Sequence, residues 1–546
     1  MVTVQAADAA PSSSVQEAAP KSSARKPPGR MAPLDKAIEH YHSRIPPSSL
    51  RRWHENIREF CMQASVSGVI TTGSGCTGCD IFSHVVTHVT EYWRSNFVLP
   101  QLGKVQNVLC SEIHEDKQKF LNAEFDISLL VPDINQFHDL KVQNVAPLAD
   151  GLAFLPHVAM YGAGFSCVDL SKMNRGRKEL KGVVSQKSGK TGTTLDACCA
   201  YIVKARPLAS FLECVPEMDQ DFTDIDGTIT NGSDIVEARL EAENFTVLIS
   251  CFNSANYGSA ADRVRWWAII IDALPKLYKH IISANFQDTF TAITMDSMDI
   301  QEFLLSDEDE FMEWTAGQPV DKKKKNGKAE PDYTVEHEQI FLVHGLKWPP
   351  RCDRYNHILD VCNRKPREAE ILFLADSLFP ETDVGVPRYF DANHSTQRLL
   401  KPEHDSDEKT LKMKIRNPWR PRVPTLTCKS CIVMRTLRES GHVVLTQIHP
   451  IEKMQLIGWD RTFYTGGTEG MWEYCTGDLL SDFAGNAWSA FAIAPLLVSL
   501  LGSVPWSEIE GQTHYIYIYI CIYIHIYIYT YIHIYIYTYI HIYIHV

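Results

Sequence analysis

Between about residues 46 and 275, apolar runs of strand length alternate with longer stretches whose apolar positions recur at helical spacing. GVITTG (68–73) predicts a strand, and DIFSHVVTHVTEYWRSNF (80–97) a helix with one apolar stripe. VQNVLCSE (105–112), ISLLVPDI (127–134), PHVAMYGA (156–163) and LASFLECV (208–215) predict further strands. FTVLISCF and RWWAIIID predict two more. This alternation predicts an α/β fold, a mostly parallel sheet with helices on both faces. Ligands of such sheets bind beyond the carboxyl ends of the strands. The Gly-rich loop after residue 72, Glu112, Asp133 and Cys167 are therefore expected along one rim.

The rhythm fails at the ends and in the middle. Residues 1–45 open on a stretch rich in Ala, Ser, Pro and Lys and predict a disordered segment. After the main lobe at 46–275, the region 276–415 loses the pattern. It carries SDEDEFME and then DKKKKNGK, whose lysines read either as a solvated loop or as a nuclear-import signal. A nuclear location is the expectation. KMKIRNPWRPR (412–422) reads either as a solvated loop or as a strip that tracks phosphates. Residues 416–510 return to helix-like and strand-like runs and are expected to complete the main lobe. The tail 511–546 alternates Tyr or His with Ile or Thr. A period of two is not a membrane helix, and both faces of such a strand are apolar. Its Tyr, Ile, His and Thr all have codons readable from a TA/CA repeat, so we expect a translated simple repeat without function.

Composition adds three limits. At 45% hydrophobic, the chain has enough apolar residues for a large core. A net charge of -13 argues against unspecific nucleic-acid binding over the whole surface, though local basic patches remain available. Fifteen cysteines without a signal peptide read as reduced thiols of a cytosolic or nuclear protein, and no membrane partner is expected. The CxxC pairs Cys76/Cys79 and Cys428/Cys431 lack zinc-finger spacing and read as free thiols, so no metal is expected.

The chemistry concentrates at strand ends. In TTGSGCTGCD, Gly73, Gly75 and Gly78 would let backbone approach a ligand, and the helix start behind them favours an anionic group. Glu112, ending the second strand, suits a ribose hydroxyl pair. Asp133, after the third, could accept from an adenine amino group. Together they point to a cofactor containing adenosine, and no Walker lysine follows the loop. Cys167 sits on a glycine-hinged loop after HVAMYGAG, where a thiol is placed to act as a nucleophile. Glu213 ends the next strand on the same rim, and a carboxyl kept protonated by desolvation can donate to a ring nitrogen. Arg263 and Arg265 stand one residue apart at a strand start, on one face, and could hold a base, a phosphate or the glutamate.

In this order the motifs resemble the DNA cytosine-5 methyltransferase family, over about 68–272 and again over about 420–502. GSGCTG is similar to the family's cofactor loop, CSEIHEDKQ to its ribose-binding segment with Glu112, and PDI to the adenine contact at Asp133. GAGFSCVDLSKMN is similar to the Pro-Cys loop, LECV to Glu-Asn-Val, and ADRVR to Gln-x-Arg-x-Arg. VPTLT and LTQIHPIEKMQLIGWD resemble the segment before the last motif. AGNAWSAFAIAP resembles the closing Gly-Asn helix, which puts Asn486 beside the cofactor.

The resemblance implies a Rossmann-like S-adenosylmethionine-dependent methyltransferase fold, with 276–415 as the variable target-recognition part. It implies S-adenosylmethionine as cofactor and DNA as partner. It also implies Cys167 as the nucleophile, with Glu213, Arg263 and Arg265 around the base. Three positions depart from the pattern. Ser166 stands for proline, Cys214 for asparagine and Ala261 for glutamine. Two rival expectations follow: methylation of cytosine in transfer RNA, and a catalytically silent relative that binds nucleic acid.

Overall fold

The computed structural model describes residues 32–508 except 67, 97–102, 147–150, 173–181, 224–226, 273–275, 305–337, 339, 343–344, 363–364, 381–382, 394–399, 404–411, 416 and 460–475. The runs SDEDEFME and DKKKKNGK and the alternating tail lie outside the described residues.

Seven strands carry the main lobe: β1 Val69–Gly75, β2 Lys104–Ser111, β3 Leu129–Val131, β4 Met160–Gly164, β5 Ala209–Cys214, β6 Phe245–Asn253 and β7 Val264–Asp272. Their order is β6-β7-β5-β4-β1-β2-β3. The pairs β1–β2, β1–β4, β2–β3 and β4–β5 are parallel. β7 runs antiparallel to both of its neighbours. A short strand, Ser65–Val66, adds to β1. An open parallel sheet with one reversed strand wedged between the fifth and the sixth is the Rossmann-like methyltransferase fold. The chain crosses over on either side of β1, so the rim above β1 and β4 is the switch point where ligands of such sheets sit.

The apolar runs explain the layering. Strands covered on both faces carry consecutive apolar residues, as in Ile269, Ile270 and Ile271, all fully buried. Neighbours alternate between two clusters: Trp267, Phe211 and Ile269 enter one, Trp266, Leu212 and Ile270 the other. The first face is covered by α1 Pro33–Ser43, α2 Pro47–Ala64, α3 Ile81–Asn96, α7 Lys276–Ala292 and α12 Ala490–Ser503. The second is covered by α5 Gly189–Ala205 and α6 Gly232–Ala242. α4 Glu115–Glu124 follows β2.

α12 is buried along its whole length despite Pro495 in its interior. A mid-helix proline costs about 3 kcal/mol. The buried Leu496, Leu497, Leu500 and Leu501 contribute about 1.5–3 kcal/mol each, so packing outweighs the break. Among the described residues, the helical stretch Gly477–Ser503 is long and apolar enough to cross a membrane, and it is core. α2 lies against α12: Trp53 Nε1 donates to the Val498 carbonyl (3.0 Å) and Asn56 to that of Gly502 (2.7 Å).

A second lobe holds α8 Asp353–Val361, α9 Pro366–Leu378 and the antiparallel sheet β8 Arg388–Asp391, β9 Ile432–Leu437, β10 Val443–Gln447. α10 Pro450–Leu456 and α11 Gly477–Asn486 lead back to α12.

Three expected boundaries move. Residues 33–43, expected within the disordered segment, form a helix instead, because α1 buries Leu34, Ala37, Ile38 and Tyr41. The seam expected at 275 lies later, because α7 packs on α12 and Phe290 meets Phe252 edge-on. The seam at 415 is crossed, because β8 pairs with β9 from the returning segment. The strand expected over 127–134 stops at Val131; Pro132 follows, and Asp133 caps a short 3-10 turn.

Candidate active site

The parallel strands and the start of β7 bring the candidate residues to the carboxyl rim. Cys167 follows β4 on a loop pinned to the first two turns of α5. Ser166 N–H donates to Thr194 Oγ1 (3.1 Å), Asp169 N–H to Thr191 Oγ1 (3.1 Å), and Thr191 N–H back to Asp169 Oδ2 (2.8 Å). A proline at 166 has no N–H to give. Serine at 166 therefore does not loosen the loop; a hydrogen bond holds it. Cys167 is half-buried against the second cluster. Burial pushes its thiol up, Glu213 adds to that, and Arg265 and Arg263 pull it down.

Glu213 lies on β5 opposite Gly164 of β4 and Trp267 of β7. Its carboxyl is buried, and burial raises its pKa against the pull of Arg265 and Arg263. Arg265 Nε stands 2.8 Å from Glu213 Oε1. The two form an ion pair without the alignment of a hydrogen bond, since Oε1 has no hydrogen-bond partner. Cys214 is buried below, in electrostatic contact with Cys167.

Arg263 shares this face but has another task. Its guanidinium donates to the carbonyls of Ala487 (2.5 Å), Gly485 (3.3 Å) and Leu426 (3.5 Å). It is 5% exposed, and burial brings its pKa down to about 9. It latches the end of α11 and the returning segment onto the sheet, rather than lining a pocket for a base. Ala261 lies under the same segment, bridged to Val423.

The other end of the rim surrounds the first loop. Gly78 has φ +60° and open space where a side chain would stand. Its N–H donates to Glu112 Oε2 (2.9 Å), and His114 N–H donates to Glu112 Oε1 (2.9 Å). Gly73 and Gly75 have a different reason. A side chain there would run into Leu109 and Val158, or into Tyr161 and Ile134. Cys76 lies between the carboxylates of Glu112 and Asp133; burial first, then both charges, push it up to about 12. Asp133 Oδ1 accepts from the backbone and side chain of Asn135 (2.9 Å each).

An adenosine fits these groups. Each Glu112 oxygen keeps a second lone pair for a ribose hydroxyl, Asp133 offers an acceptor, and the space beside Gly78 is open. Asn486 ends α11, exposed. It accepts from Cys428 Sγ (3.1 Å) and donates to Asp482 (3.0 Å). Asp482 in turn pairs with Lys117 of α4 at 2.7 Å. Burial lowers Lys117, but Glu112 and Asp482 outweigh it and hold the ammonium above its ordinary value.

Sequence reading passed over Lys117, Asp482, Thr194, Trp488 and Asp80. Nothing in the sequence links Lys117 to Asp482, which is 365 positions away on another element. Asp80 begins α3 and receives Asn107 Nδ2; burial lifts its carboxyl to about 7. A lone acid before an apolar helix reads as an ordinary cap.

No family model matches the sequence, and no curated protein matches it. Among solved structures the fold is similar to the S. pombe Dnmt2 methyltransferase, at TM-score 0.38 and 8% identity over 79% of this chain and 98% of that one. It is similar to the Entamoeba histolytica methyltransferase EhMeth, at TM-score 0.38 and 10% identity over 79% and 97%. A putative DNA modification methyltransferase encoded within a prophage of E. coli aligns at TM-score 0.34 and 14% identity over 79% and 98%. The strand order of the central sheet, rather than these alignments, defines the fold.

Proposed function

We propose that this chain is an S-adenosylmethionine-dependent methyltransferase acting on carbon 5 of cytosine in DNA. The observation that carries the reading is the meeting of Cys167, Glu213 and Arg265 at one rim, with Arg265 Nε 2.8 Å from Glu213 Oε1. Carbon 5 of cytosine is a poor nucleophile. Addition of the Cys167 thiolate to carbon 6 makes the 5,6 unit enamine-like. Glu213, lifted by burial, holds a proton at ring nitrogen 3 and stabilises charge as the sulfur adds. Arg265 orients that carboxyl and faces the base carbonyl. The cofactor, when bound, supplies an electrophilic methyl group; Glu112, Asp133 and the backbone at Gly78 would hold its adenosine. Loss of the carbon 5 proton and expulsion of Cys167 close the cycle. The base must leave the helical stack to reach such a thiol.

Cys167→Ala is expected to abolish transfer of labelled methyl groups to duplex DNA while S-adenosylmethionine still binds. Unchanged transfer by that variant overturns the assignment. A covalent adduct with DNA containing 5-fluorocytosine separates the reading from a silent nucleic-acid-binding relative. Transfer RNA in the same assay separates it from an RNA methyltransferase.

A further inference from the structure

Gly164 ends β4 beside Glu213 of β5. A Cβ built on Gly164 would fall 2.4 Å from Nε1 of Trp488, so only a glycine admits this indole. Trp488 joins α11 to α12 and is 6% exposed. Its ring is wedged edge-on between Phe82, at 5.8 Å between centroids, and Trp267, at 5.1 Å. Trp267 is itself the β7 register partner of Glu213. The indole nitrogen therefore lies over the end of β4, at the strand position paired with Glu213. A buried indole N–H takes a partner where one is in reach.

We propose that Trp488 is a positioning residue for the reaction assigned to Cys167: its indole N–H, admitted by Gly164, holds the Glu213 carboxyl in place and shares it with Arg265. The inference rests on the proposed function for its catalytic meaning, but the contact itself does not. The groups facing Glu213 are Arg265 and Arg263 from β7, Cys167 from the loop after β4, Cys214 on its own strand and Trp488. Arg263 is engaged by backbone carbonyls, and Arg265 is partly open to solvent. The indole is thus the buried neutral N–H donor in this set. It favours the charged carboxylate, so removing it moves the loss of the Glu213 proton to higher pH.

The test is an indole nitrogen–proton spectrum of the full chain, labelled at tryptophan, from pH 4 to 9. Trp488→Phe identifies the Trp488 signal by its loss. If that variant does not fold, Glu213→Gln identifies it as the signal that stops titrating. We expect the Trp488 signal to move through one titration in the wild type and to stay still in Glu213→Gln. A signal that ignores pH, or that titrates equally in Glu213→Gln, overturns the proposal.

In methyl transfer, Trp488→Phe is expected to shift the alkaline limb of the rate profile upward by about one pH unit, a tenfold change, with KM for DNA little altered. An unmoved limb overturns the positioning role. If no methyl reaches cytosine, the functional reading fails while the indole titration still decides the contact.

Discussion

Arg265 and Glu213 meet from adjacent antiparallel strands, with Nε 2.8 Å from Oε1 and side chains 16% and 9% exposed. Removing one member of a pair this enclosed leaves the other uncompensated, which costs about 3 kcal/mol. Arg265→Gln should therefore lower the melting temperature at pH 7. The folded pKa of Glu213 is already raised by burial and rises further without the guanidinium. Stability from such a group is present below the unfolded carboxyl pKa and is lost as pH rises through the folded one. The variant should regain part of its deficit at pH 5. A deficit equal at pH 5 and pH 7 in thermal unfolding would refute this.

Arg263 is predicted to act on the fold before it acts on the base. Its bonds run to carbonyls at 426, 485 and 487. Arg263→Met should cost roughly 3 kcal/mol, because several carbonyls lose a charged donor. Amide exchange should rise first over 477–503, with β4 and β5 still protected. Uniform exchange across the sheet would contradict the latch.

Ser166 carries a prediction with its own control. Thr194→Ala removes the acceptor of the Ser166 N–H and should cost about 1 kcal/mol. In a Ser166→Pro background the same change should cost less, because only the Thr194 hydroxyl's bonds to the Lys190 and Thr191 carbonyls are then lost. Additive losses in a double-mutant cycle would show that the bond does not tether the loop.

Lys117 and Asp482 join α4 to α11 next to Glu112. Asp482 is about one-third exposed, so screening limits the coupling to about 1 kcal/mol. Burial pushes the Asp482 carboxyl up, but Lys117 holds it below its ordinary value. Its contribution is present above the unfolded pKa and lost as pH falls through the folded one. A Lys117→Met, Asp482→Asn cycle should show the coupling at pH 7 and none at acid pH. A coupling that persists in strong acid would assign it to packing.

Much of the main lobe was legible because its strands are buried on both faces. Continuous runs such as WWAIIID leave little choice of element. The rim followed from the parallel order, and Cys167, Glu213, Arg265, Glu112 and Asp133 fall on it. α1 was missed because a Pro- and Ala-rich stretch precedes it and its stripe spans only three turns. Arg263 was given a place at the base because its true partners are carbonyls; Gly485 lies 222 positions away and has no side chain to signal it. What holds serine at 166 was not legible because its partner, Thr194, is on another element. Nothing in the sequence sets Trp488 apart; its place over Gly164, the strand partner of Glu213, comes from the tertiary fold.

The packing of α2 on α12 has a consequence for biosynthesis. The groove that receives Trp53 is lined by residues made some 445 positions later. On the ribosome, Trp93 can cover one edge of Trp53 early, but the side of the stripe that faces α12 stays open until α12 has emerged. Messages cut short before codon 490 should therefore yield chains that keep this apolar face open and aggregate rather than a smaller folded protein.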